Sequence, residues 1–237
     1  MPVIKAVVKP VVAANSLLAA LPRKDYLHLL PGLEPVTLRF GEVLYESGQP
    51  IRHVYFPNDS LVSLLAPVDE RLALEVGLVG SEGMVGIPLA LGIGITPVRA
   101  LVQGGGTAMR METTRFRREF PRCVPLQREL HRYTHTLMTE VTQTAACNRF
   151  HVVEARLARR LLMTRDRLRS DRFRITQEFL AHMLGVRRVG ITKAAHALKK
   201  RKLIDYSRGN IVILNGRGLE AASCSCYELV RERLDAA

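Results

Sequence analysis

The sequence predicts an α+β protein in three parts: a β-rich N-terminal half, one long helix and a basic, C-terminal winged helix-turn-helix. Three observations predict it. Short β-rich runs, punctuated by glycine and proline at intervals of roughly ten residues, fill residues 36–111. Apolar residues three or four apart run from Leu126 to Asn148. Two short amphipathic segments meet at Gly185, and the second carries its basic residues on one side.

The elements follow in order. The chain opens MPVIKAVVKPVVAANS, with two lysines ahead of apolar residues. That is the rough layout of an export signal. Asn15 and Ser16 interrupt the apolar part, and the basic second half argues against export. The longest uncharged run, Gly83 to Val98, contains Pro88, Pro97 and four glycines, too short and broken to span a bilayer. The expectation is a soluble, cytoplasmic protein with no membrane partner.

Ser16 is placed to cap a short helix with Leu17, Leu18 and Leu21 on one side. Pro22 and Pro31 bracket a second helical piece around Tyr26, Leu29 and Leu30. Strands are expected at Val36–Phe40, Val43–Tyr45, Val54–Phe56, Leu61–Leu65, Ala73–Val76 and Ala100–Val102. Arg115 to Pro125 begins helical and is broken by Pro121 and Pro125. In the long helix, Leu126, Leu130, Tyr133, Leu137, Val141 and Ala145 form a narrow seam. Such a seam suits a two-stranded pairing of subunits, and packing on the chain's own β half is the alternative. Glu154–Leu168 reads as another helix, with Leu157, Leu161 and Leu162 inward and Arg156, Arg159, Arg160, Arg165 and Arg167 outward.

The C-terminal motif is read most closely. Thr176 can cap a helix, Glu178 suits its positive end, and Phe179, Leu180, Met183 and Leu184 make one apolar side. Gly185 supplies the left-handed backbone of a sharp turn. The second helix starts near Arg187 and hides Ile191, Ala194 and Leu198. It shows Arg187, Arg188, Thr192, Lys193, His196 and Lys199. Ser207-Arg208-Gly209-Asn210 then turns the chain into Ile211–Leu214, a hairpin wing. Leu219–Leu234 reads as a single closing helix.

The charge is concentrated in the same region. Residues 151–237 hold 19 Lys+Arg and 9 Asp+Glu, a net +10, whereas residues 1–150 carry only +3 of the chain's +13. An exposed basic helix behind a glycine turn points to a polyanionic partner, double-stranded DNA.

Several chemistries are set aside. Only Cys224 and Cys226 form a close pair among Cys123, Cys147, Cys224 and Cys226, so no metal site and no cofactor is expected, and the thiols read as inert packing in a reducing compartment. His131 and His135 lie one helical turn apart with no third ligand evident. Gly104-Gly105-Gly106 lacks the Lys-Ser/Thr of a phosphate loop. Glu75 and Glu82 are not paired for acid–base work, and no nucleophile has a base at a recognisable spacing, so no catalytic residue is named and no enzyme is expected. A rival reading, an enzyme on the β half, would need His and carboxylate clusters, and residues 36–111 hold one histidine, His53. In another, the winged helix binds a protein instead of DNA.

The residues over Ile175–Leu214, together with Leu38-x-Phe40-Gly41-Glu42-Val43-Leu44-Tyr45 and Gly80-Ser-Glu-Gly-Met-Val-Gly86, resemble the Crp/Fnr family of bacterial transcription regulators. The resemblance implies a cyclic-nucleotide-binding-like β-roll over residues 1–118, a connecting dimerisation helix over 119–150 and a winged helix-turn-helix over 151–237. It implies a homodimer seamed by Leu126, Leu130, Tyr133, Leu137 and Val141, with RNA polymerase and an unidentified small-molecule effector as further partners. Arg188 inherits the guanine-reading arginine, whose planar fork matches O6 and N7. Val189 replaces the family's glutamate, so the target sequence is expected to differ. Lys193 falls where the family often has a second polar or basic contact, Thr176 and Gln177 face phosphate, and Arg187, Thr192, Lys199 and Arg208 complete the expected DNA contacts. The ligand pocket departs from the family pattern. Gly86 aligns with its start, but Ile87 stands at the ribose glutamate and Arg99 lies two residues from the phosphate arginine. Gly86 and Arg99 remain the candidate ligand residues of a pocket expected not to bind cyclic AMP.

Overall fold

The computed structural model describes residues 14–69 and 73–235. Residues 1–13 of the stretch weighed as an export signal lie outside the described residues. Two short helices, α1 (Ser16–Ala19) and α2 (Arg23–Leu29), lead into two antiparallel sheets. The first has the order β1 (Glu34–Leu38), β7 (Gly106–Glu112), β3 (His53–Pro57). The second runs β2 (Val43–Tyr45), β6 (Arg99–Gly104), β4 (Leu61–Pro67), β5 (Ala73–Val79). One apolar core draws on both sheets, with Tyr45, Val54, Phe56, Val62, Val79 and Val102 buried in it.

One local reading changes. The cap of α1 is Asn15 rather than Ser16: its side chain accepts from the Leu18 N–H at 3.4 Å. It is buried and also donates to the carbonyls of Pro57 and Gly83, both at 2.9 Å, so the cap fastens the helix to the sheet as well. The glycines at Gly104–Gly106 join β6 to β7, and β7 is the middle strand of its sheet. A side chain at Gly106 would meet the Asp59 backbone at 2.9 Å, so glycine is needed for the strands to close.

After α3 (Thr113–Glu119), the long helix α4 runs Val124–Phe150. Its seam does not face outward. Leu126, Leu130 and Tyr133 are buried in the roll's core, and Leu137 packs against it, its Cδ1 lying 3.1 Å from the Cβ position of Gly77. This corrects the assignment of these four to a dimer interface. The roll offers the nearer apolar surface, and burying each leucine there is worth roughly 1.5–3 kcal/mol. Of the expected seam, Val141 and Ala145 stay exposed, and they share that face with exposed Met138.

The C-terminal part begins with α5 (Val153–Leu168) and β8 (Arg172–Arg174). Then come α6 (Gln177–Leu184), α7 (Arg188–Lys200), β9 (Ile204–Ser207), β10 (Asn210–Ile213), α8 (Gly216–Ala222) and α9 (Cys226–Asp235). The wing has three strands, β8-β10-β9, one more than expected. The single closing helix is two, broken at 223–225.

The arginines of α5 also differ from expectation. Leu157, Leu161 and Leu162 are buried as expected, but so are Arg156, Arg159, Arg160 and Arg167. Partners distant in sequence make this tolerable. Arg160 Nη2 donates to Glu75 Oε2 of β5 at 2.8 Å and to Gln103 of β6. Arg167 donates to Glu82 at 2.7 Å and to Glu140 of α4 at 2.8 Å. These pairs fasten α5 to the roll and to α4. Burial pushes the Glu75 carboxyl up to about 7, against the pull of the Arg160 charge.

Candidate nucleic-acid interface

Local chemistry builds the interface. Thr176 caps α6, its Oγ1 accepting from the Phe179 N–H at 3.1 Å. Gly185 ends the helix with φ +60, and a side chain there would meet Leu74 of β5 at 2.9 Å. Arg187 is the extended residue before α7. One side of α7 is buried through Ile191, Ala194, Ala195 and Leu198. The opposite side leaves Arg187, Arg188, Val189, Thr192, Lys193, His196 and Lys199 exposed. Every residue expected on that face is there, because a helical period fixes the face once the apolar side is set.

The face continues beyond α7. Thr192 Oγ1 donates to Gln177 Oε1 at 2.8 Å, which joins the start of α6 to the outer side of α7. The wing reaches the same place: the Ile175 N–H donates to the Gly209 carbonyl at 2.7 Å. Arg208 (φ +48) and Gly209 (φ +83) form the tip of the β9–β10 hairpin, with positive φ at both turn positions. Arg208, Thr176 and Gln177 therefore stand beside α7.

The cations of this surface divide into two groups. Lys199 bonds Asp205 at 2.7 Å, and that contact holds the Asp205 carboxyl below its usual range. Arg201 pairs with Glu154 at 3.0 Å. Among the described residues, Arg187, Arg188, Lys193 and Arg208 have no ion pair. Their charges face solvent, free to meet an anion.

The two candidate ligand residues sit in different local settings. Gly86 adopts φ +104 at the head of a short 3-10 turn, Ile87–Leu91. Burial pushes the Tyr45 phenol up beside it, with the Gly86 backbone hydrogen-bonded to that phenol. Arg99 points instead to the exposed rim, where Glu46 takes its guanidinium at 2.7 and 2.6 Å. An arginine already forked onto a carboxylate is poorly placed to hold a phosphate.

The cysteines depart from the sequence expectation. Cys147, Cys224 and Cys226 meet with His151, their four ligand atoms all within 4.8 Å of one another. The break between α8 and α9 turns the closing segment back onto the end of α4. Sequence spacing carries half of this signal: Cys147 and His151 are one helical turn apart, and Cys224 and Cys226 are one residue apart.

Comparisons with known proteins bear on the fold and the C-terminal domain. Residues 155–222 match the model of the Crp-like helix-turn-helix domain. Among solved structures, the chain is similar to FixK2 from Bradyrhizobium japonicum, at 13% identity and a TM-score of 0.68 over 81% of this chain and 98% of that one. It is similar to the c-di-GMP-responsive global regulator CLP from Xanthomonas campestris, at 16% identity and a TM-score of 0.67 over 81% and 99%. A CRP/FNR-family transcriptional regulator from Thermus thermophilus gives 21% identity and a TM-score of 0.64 over 80% and 98%. No curated protein matches the sequence. Among the described residues, no helix is long and apolar enough to cross a membrane.

Proposed function

Starting from a C-terminal domain of the Crp-like helix-turn-helix family in a chain with the Crp/Fnr fold, we propose that this protein is a homodimeric, sequence-specific DNA-binding transcription regulator. The observation that carries the proposal is the exposed side of α7, where Arg188 and Lys193 stand without ion-pair partners while the opposite side is fully packed. α7 enters the major groove, Arg188 reads a guanine, and Val189, 58% exposed, can touch a thymine methyl. Thr176, Gln177 and Arg208 contact phosphate on either side. Two copies pair through Met138, Val141 and Ala145 of α4, and two α7 helices reach half-sites about 34 Å apart.

The sensor half responds to something other than cyclic AMP. In support of that reading, Arg99 is held by Glu46, Ile87 replaces an acidic acceptor, and Tyr45 is buried beside Gly86.

The test is selection from a pool of random duplexes at two salt concentrations, with and without cyclic AMP. The expected result is a palindromic consensus that appears without nucleotide. Arg188→Ala should relax preference at one base pair per half-site and cost about 1–3 kcal/mol. Equal weakening on all sequences would make Arg188 a phosphate contact. Binding without any consensus would sink the sequence-specific reading.

A further inference from the structure

The cluster at the end of α4 has the make-up of a metal centre. Cys147 and His151 come from the last turn of α4 and its C-terminal cap. Cys224 comes from the link between α8 and α9, and Cys226 is the first residue of α9. The Cys147 and Cys224 sulfurs are 3.5 Å apart, and Cys226 Sγ lies 3.5 Å from His151 Nδ1. Four ligands around one zinc ion, with Zn–S near 2.3 Å, stand about 3.8 Å from each other along the edges of a tetrahedron. The observed separations are close to that and are too small for a multi-iron cluster, which spreads its thiolates wider. All three sulfurs are buried, and His151 is half-buried.

The surroundings suit a cation held by thiolates. Gln143 Nε2 donates to Cys226 Sγ at 3.0 Å, a hydrogen bond that orients a ligand and shares its charge. Three thiolates around a divalent ion leave one net negative charge, and Arg156 and Arg159 are buried next to it, each with an Nε that finds no protein partner. Without a metal, three sulfurs and an imidazole would be packed together with little hydrogen-bonding return.

We infer that Cys147, His151, Cys224 and Cys226 form a closed, mononuclear Cys3His site for a zinc-class cation. Binding releases the thiol protons to solvent and involves no redox step. The ion ties the far end of α4 to the segment that follows the wing, so it fixes the C-terminal domain against the long helix. No water position is left open on the ion, which gives the site a structural role rather than a hydrolytic one.

The experiment uses the full chain, purified with reductant. Elemental analysis should give one zinc per protomer. After removal of the metal, cobalt(II) should restore a near-ultraviolet thiolate-to-cobalt band and visible bands of tetrahedral intensity, both bleached by one equivalent of zinc. Cys226→Ser should weaken zinc binding by more than about 100-fold, while Gln143→Ala should weaken it by about 10–100-fold. His151→Cys should keep the stoichiometry and shift the cobalt bands, which answers the concern that a ligand variant simply misfolds. Cys123→Ser, remote from the cluster, should change nothing. The inference is overturned if the reduced protein takes up no stoichiometric zinc or cobalt, if it holds iron with inorganic sulfide, or if Cys147 and Cys224 form a disulfide when zinc is present.

Discussion

Arg167→Met removes a guanidinium whose side chain is 3% exposed and which serves two carboxylates. Glu140, 4% exposed, loses its partner and cannot turn to water, whereas Glu82, 21% exposed, can recover part of its hydration. An orphaned buried charge costs about 3–5 kcal/mol, and Glu140 carries most of that here. The assay is urea unfolding followed by far-ultraviolet circular dichroism at fixed protomer concentration, since the chain has no tryptophan. With a slope of about 2–3 kcal/mol/M, the midpoint should fall by about 1–2 M. The double variant Arg167→Met with Glu140→Leu should recover most of the loss, since replacing a whole buried pair by apolar groups is often neutral. A single variant within about 1 kcal/mol of the parent, or a double variant no better than the single, would refute the reasoning.

Glu75→Gln tests the neighbouring pair through its pH dependence. A carboxyl raised from 4.5 to about 7 in the folded state gives a stabilising contribution that is full below 4.5 and lost as pH rises through 7. The variant lacks that term, so its stability relative to the parent should improve between pH 5 and 8, and a flat difference would contradict the raised pKa. Arg208→Gly relieves a positive φ of +48 and should stabilise the wing by up to about 1 kcal/mol, while weakening binding to all duplexes alike. A gain in affinity would remove Arg208 from the interface. Val141→Asp should shift sedimentation from dimer to monomer with the helical content unchanged, and an intact dimer would place the interface elsewhere.

The helix-turn-helix is legible because its signals are local. The Thr176 cap, the left-handed Gly185 and the period of Ile191, Ala194 and Leu198 lie within a few residues of what they determine. Their agreement fixes which side of α7 is exposed. The long helix shows the limit of periodicity. A stripe of Leu126, Leu130 and Tyr133 says that one face is covered, but not by which surface, and here the roll covers it. Charge alone places the arginines of α5 outward, yet Glu75 and Glu82, 85 residues from Arg160 and Arg167, make burial tolerable. The cysteine cluster is hidden for the same reason: Cys147 and Cys224 are 77 residues apart, and only the break before α9 closes the gap. The setting of the candidate ligand residues is finer still, since alignment can place Arg99 near a phosphate position but cannot see Glu46 across the strand.

Four of the cations counted in the C-terminal charge excess lie inside the protein, held by carboxylates, carbonyls and sulfurs. Lys199 and Arg201 are further offset at the surface. A polyanion therefore meets a much smaller valence than the formal charge suggests. Each phosphate neutralised adds only about 0.9 to the logarithmic dependence of affinity on salt. The complex should release few condensed counterions and tolerate rising ionic strength better than a protein of this isoelectric point would lead one to expect. What holds it on its site at physiological salt is then weighted towards the edges of the bases.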